Sequence, residues 1–158
     1  MSARTTQKTL FVFAHQDDEA GVFFEIEQCI LKGHEITCVY LTDGGKLADA
    51  RNAESMRVLK KLGCNPDQIY FLGRELGCQD GHGPNSLKAI YDWLLVKLRN
   101  EQINTVYCPA FEGGHQDHDA INIVLSAISR AFPNKIKFFQ FSLYNGYQLP
   151  WIFFRVMH

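Results

Sequence analysis

Short apolar runs alternate along the chain with longer segments in which apolar residues recur at helical spacing. The short runs predict buried strands, and the periodic segments, which are bounded by glycines, predict helices. The predicted strands are Thr9–Ala14, Ile36–Leu41, Ile69–Leu72, Thr105–Pro109 and Ile136–Leu143, and the predicted helices are Glu19–Lys32, Asp49–Leu62, Ser86–Gln102 and Asp119–Phe132.

This alternation predicts a doubly wound α/β fold. Right-handed strand–helix–strand crossovers give a mostly parallel sheet of about five strands, in the order 3-2-1-4-5, with helices on both faces. Ligands of such sheets bind beyond the carboxyl ends of the strands, where the winding direction reverses. In this order the first and fourth strands are neighbours at that point. The length of 158 residues predicts one domain, residues 1–158, with a sizeable core.

A polar motif follows each of those two strands. Residues 14–19 read A-H-Q-D-D-E, and residues 113–119 read G-G-H-Q-D-H-D. His15 and Asp18 stand three positions apart, as do the two histidines of the second motif, so each pair can present two side chains to one side of a tight turn. Two imidazoles and one carboxylate, with an open position for water, form a recurrent catalytic zinc arrangement.

The remaining polar groups of the motifs are candidates for acid–base chemistry. Asp17 stands between the two ligand candidates of its motif and cannot easily point the same way as both, which leaves it free to act as general base on water. If only one of His115 and His118 is the third ligand, the other can be an imidazolium that stabilises an oxyanion or protonates a leaving amine. Asp117 is placed to orient an imidazole and raise its pKa.

Helix capping is the alternative explanation of these acidic residues. Three consecutive carboxylates at 17–19 are common at a helix start, and capping is a sufficient explanation for Glu19 and Asp119. Capping does not explain why both motifs follow neighbouring strands, so the pattern favours a functional site. A nucleotide-binding turn is disfavoured, because F-A-H-Q-D replaces the glycine-rich phosphate loop and its carboxylates would repel a pyrophosphate.

Charge and cysteine usage exclude other classes of function. The net charge of −1, without a basic cluster, argues against nucleic-acid or anionic-membrane partners. Five dispersed cysteines, without a C-x-x-C pair, favour reduced thiols. The polar start lacks the apolar region of a signal peptide, and no apolar stretch approaches the roughly 18 residues of a membrane span. A cytoplasmic location is therefore expected.

The two motifs resemble those of the PIG-L/LmbE-like family of metal-dependent N-deacetylases, whose signatures read A-H-P-D-D-E and H-P-D-H or H-x-x-H. The resemblance extends through T-D-G-G at 42–45 and R-x-x-E at 51–54, and thus covers most of the chain. Gln16 and Gln116 depart from the signatures. Loss of the proline that Gln16 replaces frees a backbone φ and adds an N–H donor, so a less rigid turn is expected, but no ligand is lost.

The resemblance implies a Rossmann-like fold and a bound Zn²⁺, with another divalent metal such as Fe²⁺ as the alternative. The implied ligands are His15, Asp18 and His118. Asp17 corresponds to the family's general base, and His115 corresponds to a histidine that stabilises charge electrostatically.

The same resemblance implies the substrate. It is an N-acetylglucosaminyl-type amino-sugar conjugate, which is deacetylated to the free amine and acetate. Arg51 matches a residue that contacts the sugar, and Asp80 is a loose match to a sugar-binding carboxylate. Asp80 lies in the long irregular stretch Gly73–Pro84, which is interpreted as either a substrate loop or a disordered excursion.

Two other functions stay open. One is hydrolysis of another amide or ester with the same metal site, and the other is a catalytically silent metal- or sugar-binding module. The chain is short for the family, which is consistent with a fragment, a minimal member or a protomer completed by another chain. The apolar segment 146–157 is expected to pack against the sheet edge or a second copy, giving a homo-oligomer. Folding back onto its own core and a disordered cut end are the alternatives.

Overall fold

The computed structural model describes residues 6–144. Every predicted strand and helix is present, and the ends differ by a few residues. The strands are β1 (Lys8–Phe13), β2 (Glu35–Tyr40), β3 (Ile69–Phe71), β4 (Thr105–Pro109) and β5 (Lys137–Phe141), and the α-helices are α1 (Phe23–Leu31), α2 (Ala48–Leu62), α3 (Gly73–Leu76), α4 (Leu87–Asn100) and α5 (Gln116–Ser129).

The strands form one parallel sheet in the order β3-β2-β1-β4-β5, which confirms the predicted topology. β1 is the central strand and is buried between its neighbours, with Phe13 opposite Tyr40 of β2 and Phe11 opposite Tyr107 of β4. A central parallel strand is covered on both faces, which explains why β1 is almost continuously apolar.

Helices cover both faces of the sheet. Alternate side chains of β1 point to opposite faces, so Leu10 and Val12 belong to one buried cluster and Phe11 and Phe13 to another. The first cluster includes apolar residues of α4 and α5, and the second includes residues of α1 and α2. The two cores lie on opposite faces of the sheet, and the polar motifs follow the carboxyl ends of β1 and β4.

Two helix starts differ from prediction. The predicted helix from Glu19 is a 3-10 turn over Asp18–Val22 followed by α1, because Val22 leaves the helical region with φ −138° and ψ 23°. The predicted helix from Asp119 begins earlier, at Gln116, because His115 caps it. Histidine is not among the usual N-cap residues, so composition alone places the start too late.

Within residues 6–144, no helix is long and apolar enough to cross a membrane. The five cysteines are buried and free. The predicted packing of segment 146–157, and the oligomer it would form, lie outside the described residues.

Candidate metal centre and catalytic groups

The two polar motifs meet at the carboxyl ends of β1 and β4. His15 and Asp18 lie in the turn that leaves β1, and His118 lies in the first turn of α5. β1 and β4 are paired neighbours, so the sheet brings together side chains that are about a hundred residues apart in sequence.

Three buried ligand atoms converge at this point. His118 Nε2 lies 3.1 Å from His15 Nδ1 and 3.1 Å from Asp18 Oδ1, and the last two atoms are 3.9 Å apart. A divalent metal bound tetrahedrally at about 2.0–2.1 Å separates its ligand atoms by about 3.3 Å. The three atoms therefore have the identity and the spacing of a three-ligand metal site.

The turn after β1 orients the two ligands that it carries. Asp18 Oδ2 accepts hydrogen bonds of 2.9 Å from the backbone N–H groups of Ala14 and His15, which leaves Oδ1 for a cation. Burial opposes ionisation of Asp18, but hydrogen bonds with His118 and His15 lower its pKa well below the usual range. The carboxylate is thus held ionised and aimed at the histidines.

Asp117 orients His15 from the other side. Its Oδ2 lies 2.9 Å from His15 Nε2, which leaves Nδ1 for the cation. A carboxylate that is hydrogen-bonded to the non-ligating nitrogen of a metal-binding histidine fixes the orientation of the ring and raises its basicity. Although burial lowers the pKa of His15, its hydrogen bonds with Asp117 and Asp18 raise that pKa to about 9 in the metal-free protein. Asp117, which was predicted to orient an imidazole, thus contacts the ring of His15, and its role in catalysis stays a prediction.

Asp117 also anchors the loop that follows α3. Its carboxylate is completely buried and accepts hydrogen bonds of 2.7 Å from the backbone N–H groups of Gly81 and Gly83. Burial opposes ionisation, but the bonds from His15 and these two glycines lower the pKa of Asp117. A Cβ at Gly83 would lie 2.9 Å from Asp117 Oδ1, so no side chain fits there. This loop is therefore a wall of the site and not a disordered excursion.

Asp80 links the loop to α2. Its Oδ1 lies 3.4 Å from His15 Nε2, and its Oδ2 lies 3.1 Å from Nη1 of Arg51. Among the described residues, His15, Asp80, His115 and Asp117 form a second group of potential metal ligands. The Asp117 carboxylate already accepts three hydrogen bonds, so we assign this group as the network that supports His15. Both predicted sugar-binding residues, Arg51 and Asp80, thus lie beside the candidate metal site.

His115 lies edge-on to His15, with ring centroids 4.5 Å apart. Its Nδ1 accepts a hydrogen bond of 3.2 Å from the backbone N–H of Asp117, which caps α5 and places the proton of the neutral ring on Nε2. Burial, followed by the charge of His15, lowers the pKa of His115. In its neutral form His115 therefore has one donor, at Nε2, and the predicted imidazolium stays a prediction.

Asp17 turns away from the ligand atoms, as its position between two ligands predicted. It has a left-handed φ of 101°, its side chain is 80% exposed, and its Oδ2 lies 3.7 Å from Nη2 of Arg51. Its backbone N–H donates to Glu19 Oε2 at 2.9 Å. Desolvation, followed by the charge of Asp18, raises the pKa of Asp17. The arrangement suits a carboxylate that receives a proton.

Gln16 and Gln116, which depart from the family signatures, both donate side-chain hydrogen bonds to distant segments of the chain. Gln16 Nε2 donates to Asn52 Oδ1 of α2 at 2.5 Å, and its backbone carbonyl accepts from Arg51. Gln116 Nε2 donates to the carbonyl of Gly81. Both turns are thereby joined to distant segments by hydrogen bonds, and the less rigid first turn stays a prediction.

Of the two acidic residues expected to cap helices, Glu19 accepts from the N–H of Asp17, the N-cap of its 3-10 turn, whereas Asp119 holds a loop. Asp119 Oδ1 accepts from the backbone N–H groups of Glu112 and Gly113, at 3.1 and 3.2 Å, and so fixes the loop before its own helix. Glu19 accepts from the backbone of Asp17. Both side chains therefore support the conformation of a motif.

Tyr144 lies at the candidate site and was not among the predicted residues. Its ring stacks on His118, with centroids 5.4 Å apart, and Glu112 Oε2 accepts from its backbone N–H at 3.1 Å. A Cβ at Gly114 would lie 3.0 Å from the Tyr144 ring, so the second glycine of the G-G pair makes room for it. That pair was the only local signal, because Tyr144 follows β5 and is distant from both motifs in sequence.

Solved structures with this fold include enzymes of different chemistry. N,N'-diacetylchitobiose deacetylase from Pyrococcus horikoshii is 25% identical, has a TM-score of 0.69, and is matched over 83% of this chain and 53% of its own. A zinc-inhibited form of teicoplanin deacetylase is 12% identical, with a TM-score of 0.67 and coverage of 79% and 64%. The 4-carboxy-2-hydroxymuconate hydratase of Pseudomonas putida KT2440 is 18% identical, with a TM-score of 0.68 and coverage of 92% and 70%.

The chain spans about half the length of the Pyrococcus deacetylase that it matches. A comparison with curated protein sequences found no significant match. The family model described as GlcNAc-PI de-N-acetylase (PIG-L) matches residues 10–129, which include both polar motifs and the loop that Asp117 anchors. The protein therefore belongs to the PIG-L family.

Proposed function

We propose that this protein is a metal-dependent hydrolase that removes the acetyl group of an N-acetylated amino sugar, releasing acetate and the free amine. The observation that carries the proposal is the convergence of His15 Nδ1, Asp18 Oδ1 and His118 Nε2, with Asp17 beside them and turned outward. Family membership and the deacetylases among the structural neighbours support it.

His15, Asp18 and His118 would hold the cation, and we propose Zn²⁺. Two imidazoles and one carboxylate suit zinc in catalytic sites, and the same donor set also suits Fe²⁺. A divalent cation held there would lower the pKa of water to about 7 and polarise a carbonyl oxygen. The hydrogen bonds that occupy Asp18 Oδ2 and His15 Nε2 support this assignment, because they leave one donor atom of each residue for the metal.

Asp17 and His115 carry the proton and charge steps in this proposal. The Asp17 carboxylate accepts a proton from the attacking water and returns it to the leaving nitrogen, so that the amide and water become acetate and amine. The His115 Nε2–H donates to the oxygen that gains negative charge in the tetrahedral transition state. A neutral ring is sufficient for this second role, in agreement with the capping bond at Nδ1.

Arg51 and Asp80 are proposed to bind the sugar. Their ion pair of 3.1 Å lies between α2 and the anchored loop, where it offers both donors and acceptors to hydroxyl groups. The Pyrococcus neighbour is described as acting on N,N'-diacetylchitobiose, which supports an amino-sugar substrate here. We expect such a small-molecule partner in a reducing, cytoplasm-like compartment, and the five free cysteines support that location.

The hydratase among the neighbours demonstrates that this fold also hosts other chemistry, so the substrate must be tested directly. The experiment measures acetate release from N-acetylglucosamine and from N,N'-diacetylchitobiose. It uses protein stripped with a chelator and then supplied with one equivalent of Zn²⁺ or Fe²⁺. Limiting metal is used because a related deacetylase has a zinc-inhibited form.

We expect no acetate without metal and turnover restored by one equivalent. Undiminished turnover after stripping would refute metal dependence. Acetate release from neither compound by metal-loaded protein would refute the proposed reaction and favour another amide or ester substrate, or a silent binding module.

A further inference from the structure

Two neighbouring residues of helix α2 bind the same residue of the turn after β1. Asn52 Oδ1 accepts a hydrogen bond of 2.5 Å from Nε2 of Gln16, and Nη2 of Arg51 donates to the backbone carbonyl of Gln16 at 2.9 Å. The helix is thus joined to both the side chain and the backbone of residue 16. A proline, which the family signature has at this position, has no side-chain donor and cannot make the bond to Asn52.

The amide of Gln16 is enclosed from two sides. Gln16 is 2% exposed, its Nε2 is bound to Asn52, and a Cβ at Gly44 would lie 2.8 Å from its Oε1. This Oε1 has no hydrogen-bond partner among the described residues. A buried acceptor costs free energy when it is unpaired, so the glutamine lowers stability at this atom. What the side chain contributes is its bond to Asn52.

Arg51 is held by the same contact between helix and turn. Its Nη2 donates to the carbonyl of Gln16 and lies 3.7 Å from Asp17 Oδ2, and its Nη1 donates to Asp80 Oδ2 at 3.1 Å. The Arg51 side chain is still 28% exposed, so a ligand can reach it. A long side chain loses conformational entropy when it is ordered, and contacts that fix it before a ligand arrives reduce that loss on binding.

We propose that Gln16 and Asn52 are positioning residues that hold Arg51 in the orientation in which it binds the sugar. The inference rests on the proposed function, in which Arg51 and Asp80 contact the sugar. The bond between Gln16 and Asn52 sets the distance between α2 and the turn, and at that distance Nη2 of Arg51 reaches the carbonyl of Gln16. Without this bond the guanidinium gains other orientations and sugar binding weakens, whereas the metal ligands are unchanged.

Four variants isolate this bond. Asn52→Ala removes the acceptor, and because alanine is the better helix former, the change does not weaken α2 itself. Asn52→Asp keeps a side-chain oxygen that can accept from Gln16 and is the conservative variant. Gln16→Met removes the donor at a similar side-chain length and tests the same bond if Asn52→Ala does not fold. Asn100→Ala, at the exposed end of α4, is the matched control.

The first measurement needs no substrate. Phenylglyoxal modifies accessible arginine side chains, and mass spectrometry of peptides gives its rate at Arg51 relative to Arg57, an exposed residue of the same helix. We expect that ratio to rise in Asn52→Ala and in Gln16→Met by about 2- to 10-fold, which is what one net hydrogen bond is worth. Combining the two changes should add nothing further, because both remove one bond. Asn52→Asp and Asn100→Ala should keep the parent ratio.

The second measurement is the kinetics of acetate release from N,N'-diacetylchitobiose, with the metal content of each protein determined alongside. Asn52→Ala should raise KM by about 2- to 10-fold, with a smaller change in kcat, because the ground state and the transition state lose the same sugar contact. Metal content should equal that of the parent. Asn52→Asp should restore the parent KM, which a loss of packing at this position would not predict.

The outcomes separate this inference from the proposed function. If no protein releases acetate but the reactivity of Arg51 rises in Asn52→Ala and Gln16→Met, the proposed reaction fails and the positioning of Arg51 stands. Equal reactivity of Arg51 in Asn52→Ala and Asn100→Ala would overturn the positioning. Raised reactivity together with a parent KM would overturn the link between this positioning and the sugar.

Discussion

Asp117 and His15 are joined by a contact of 2.9 Å between a carboxylate oxygen and the ring nitrogen that faces away from the metal centre. The same carboxylate accepts from the backbone of Gly81 and Gly83. One buried side chain therefore fixes the orientation of a proposed metal ligand and the position of the loop that carries Asp80. A change in the position of the loop should therefore alter the orientation of His15, and a change at His15 should alter the loop.

The first prediction is that Asp117→Asn weakens metal binding without removing a ligand. The carboxylate of Asp117 accepts hydrogen bonds from His15, Gly81 and Gly83. An asparagine would place its NH₂ group against one of these donors, so His15 would lose its fixed orientation. We expect metal affinity to fall by about 10- to 100-fold. Competition with a chromophoric chelator measures it. Asp119→Asn is the matched control, because Asp119 holds a loop of the same region and has no bond to His15. Equal affinities in the two variants would contradict the account.

The second prediction concerns His115. Replacement by Ala removes the Nε2 donor and should lower kcat by about a hundredfold or more, with metal content unchanged. Asn at this position is a good N-cap and separates loss of the helix cap from loss of the imidazole. If His115→Asn and His115→Ala both retain the parent kcat, His115 takes no part in the reaction.

The third prediction is the pH dependence of stability in the metal-free protein. The pKa of His15 is raised from its ordinary 6.5 to about 9, so the proton on this ring stabilises the fold. That contribution is fully present below pH 6.5 and is lost as the pH rises through about 9. We expect the free energy of unfolding to fall across this window by an amount on the order of 1–3 kcal/mol.

Urea unfolding in the presence of chelator at pH 6.5 and pH 9 measures this change. His15→Gln should remove it, and His82→Gln, which alters an exposed histidine, should leave it intact. Saturating metal should also remove the dependence, because a ligating imidazole is deprotonated. A decrease that persists in His15→Gln would assign the effect to other groups.

The strand order and the meeting of the two motifs could be predicted from sequence, because each rests on a local pattern. The alternation of apolar runs predicts the sheet, and the sheet places the residues that follow β1 and β4 side by side. His15 and Asp18 are three residues apart because they lie in one tight turn. In that turn Asp18 Oδ2 accepts hydrogen bonds from the backbone N–H groups of Ala14 and His15.

The supporting contacts could not be predicted, because they join segments distant in sequence. Nothing near Asp117 indicates that Gly81 and Gly83 bind its carboxylate. The protonation of His115 depends on its burial and on the charge of His15, and neither is visible in a motif. Tyr144 reaches His118 only because β5 pairs with β4.

We propose that His15, Asp18 and His118 hold a catalytic metal and that Asp17 acts beside this metal without binding it. Metal content and acetate release are measured together on His118→Ala and Asp17→Asn. His118→Ala should lose both metal and turnover, because only two protein ligands remain. Asp17→Asn should retain one equivalent of metal and lose turnover, because an amide cannot accept the proton. A stoichiometric metal in His118→Ala, or turnover near the parent rate in Asp17→Asn, would contradict it.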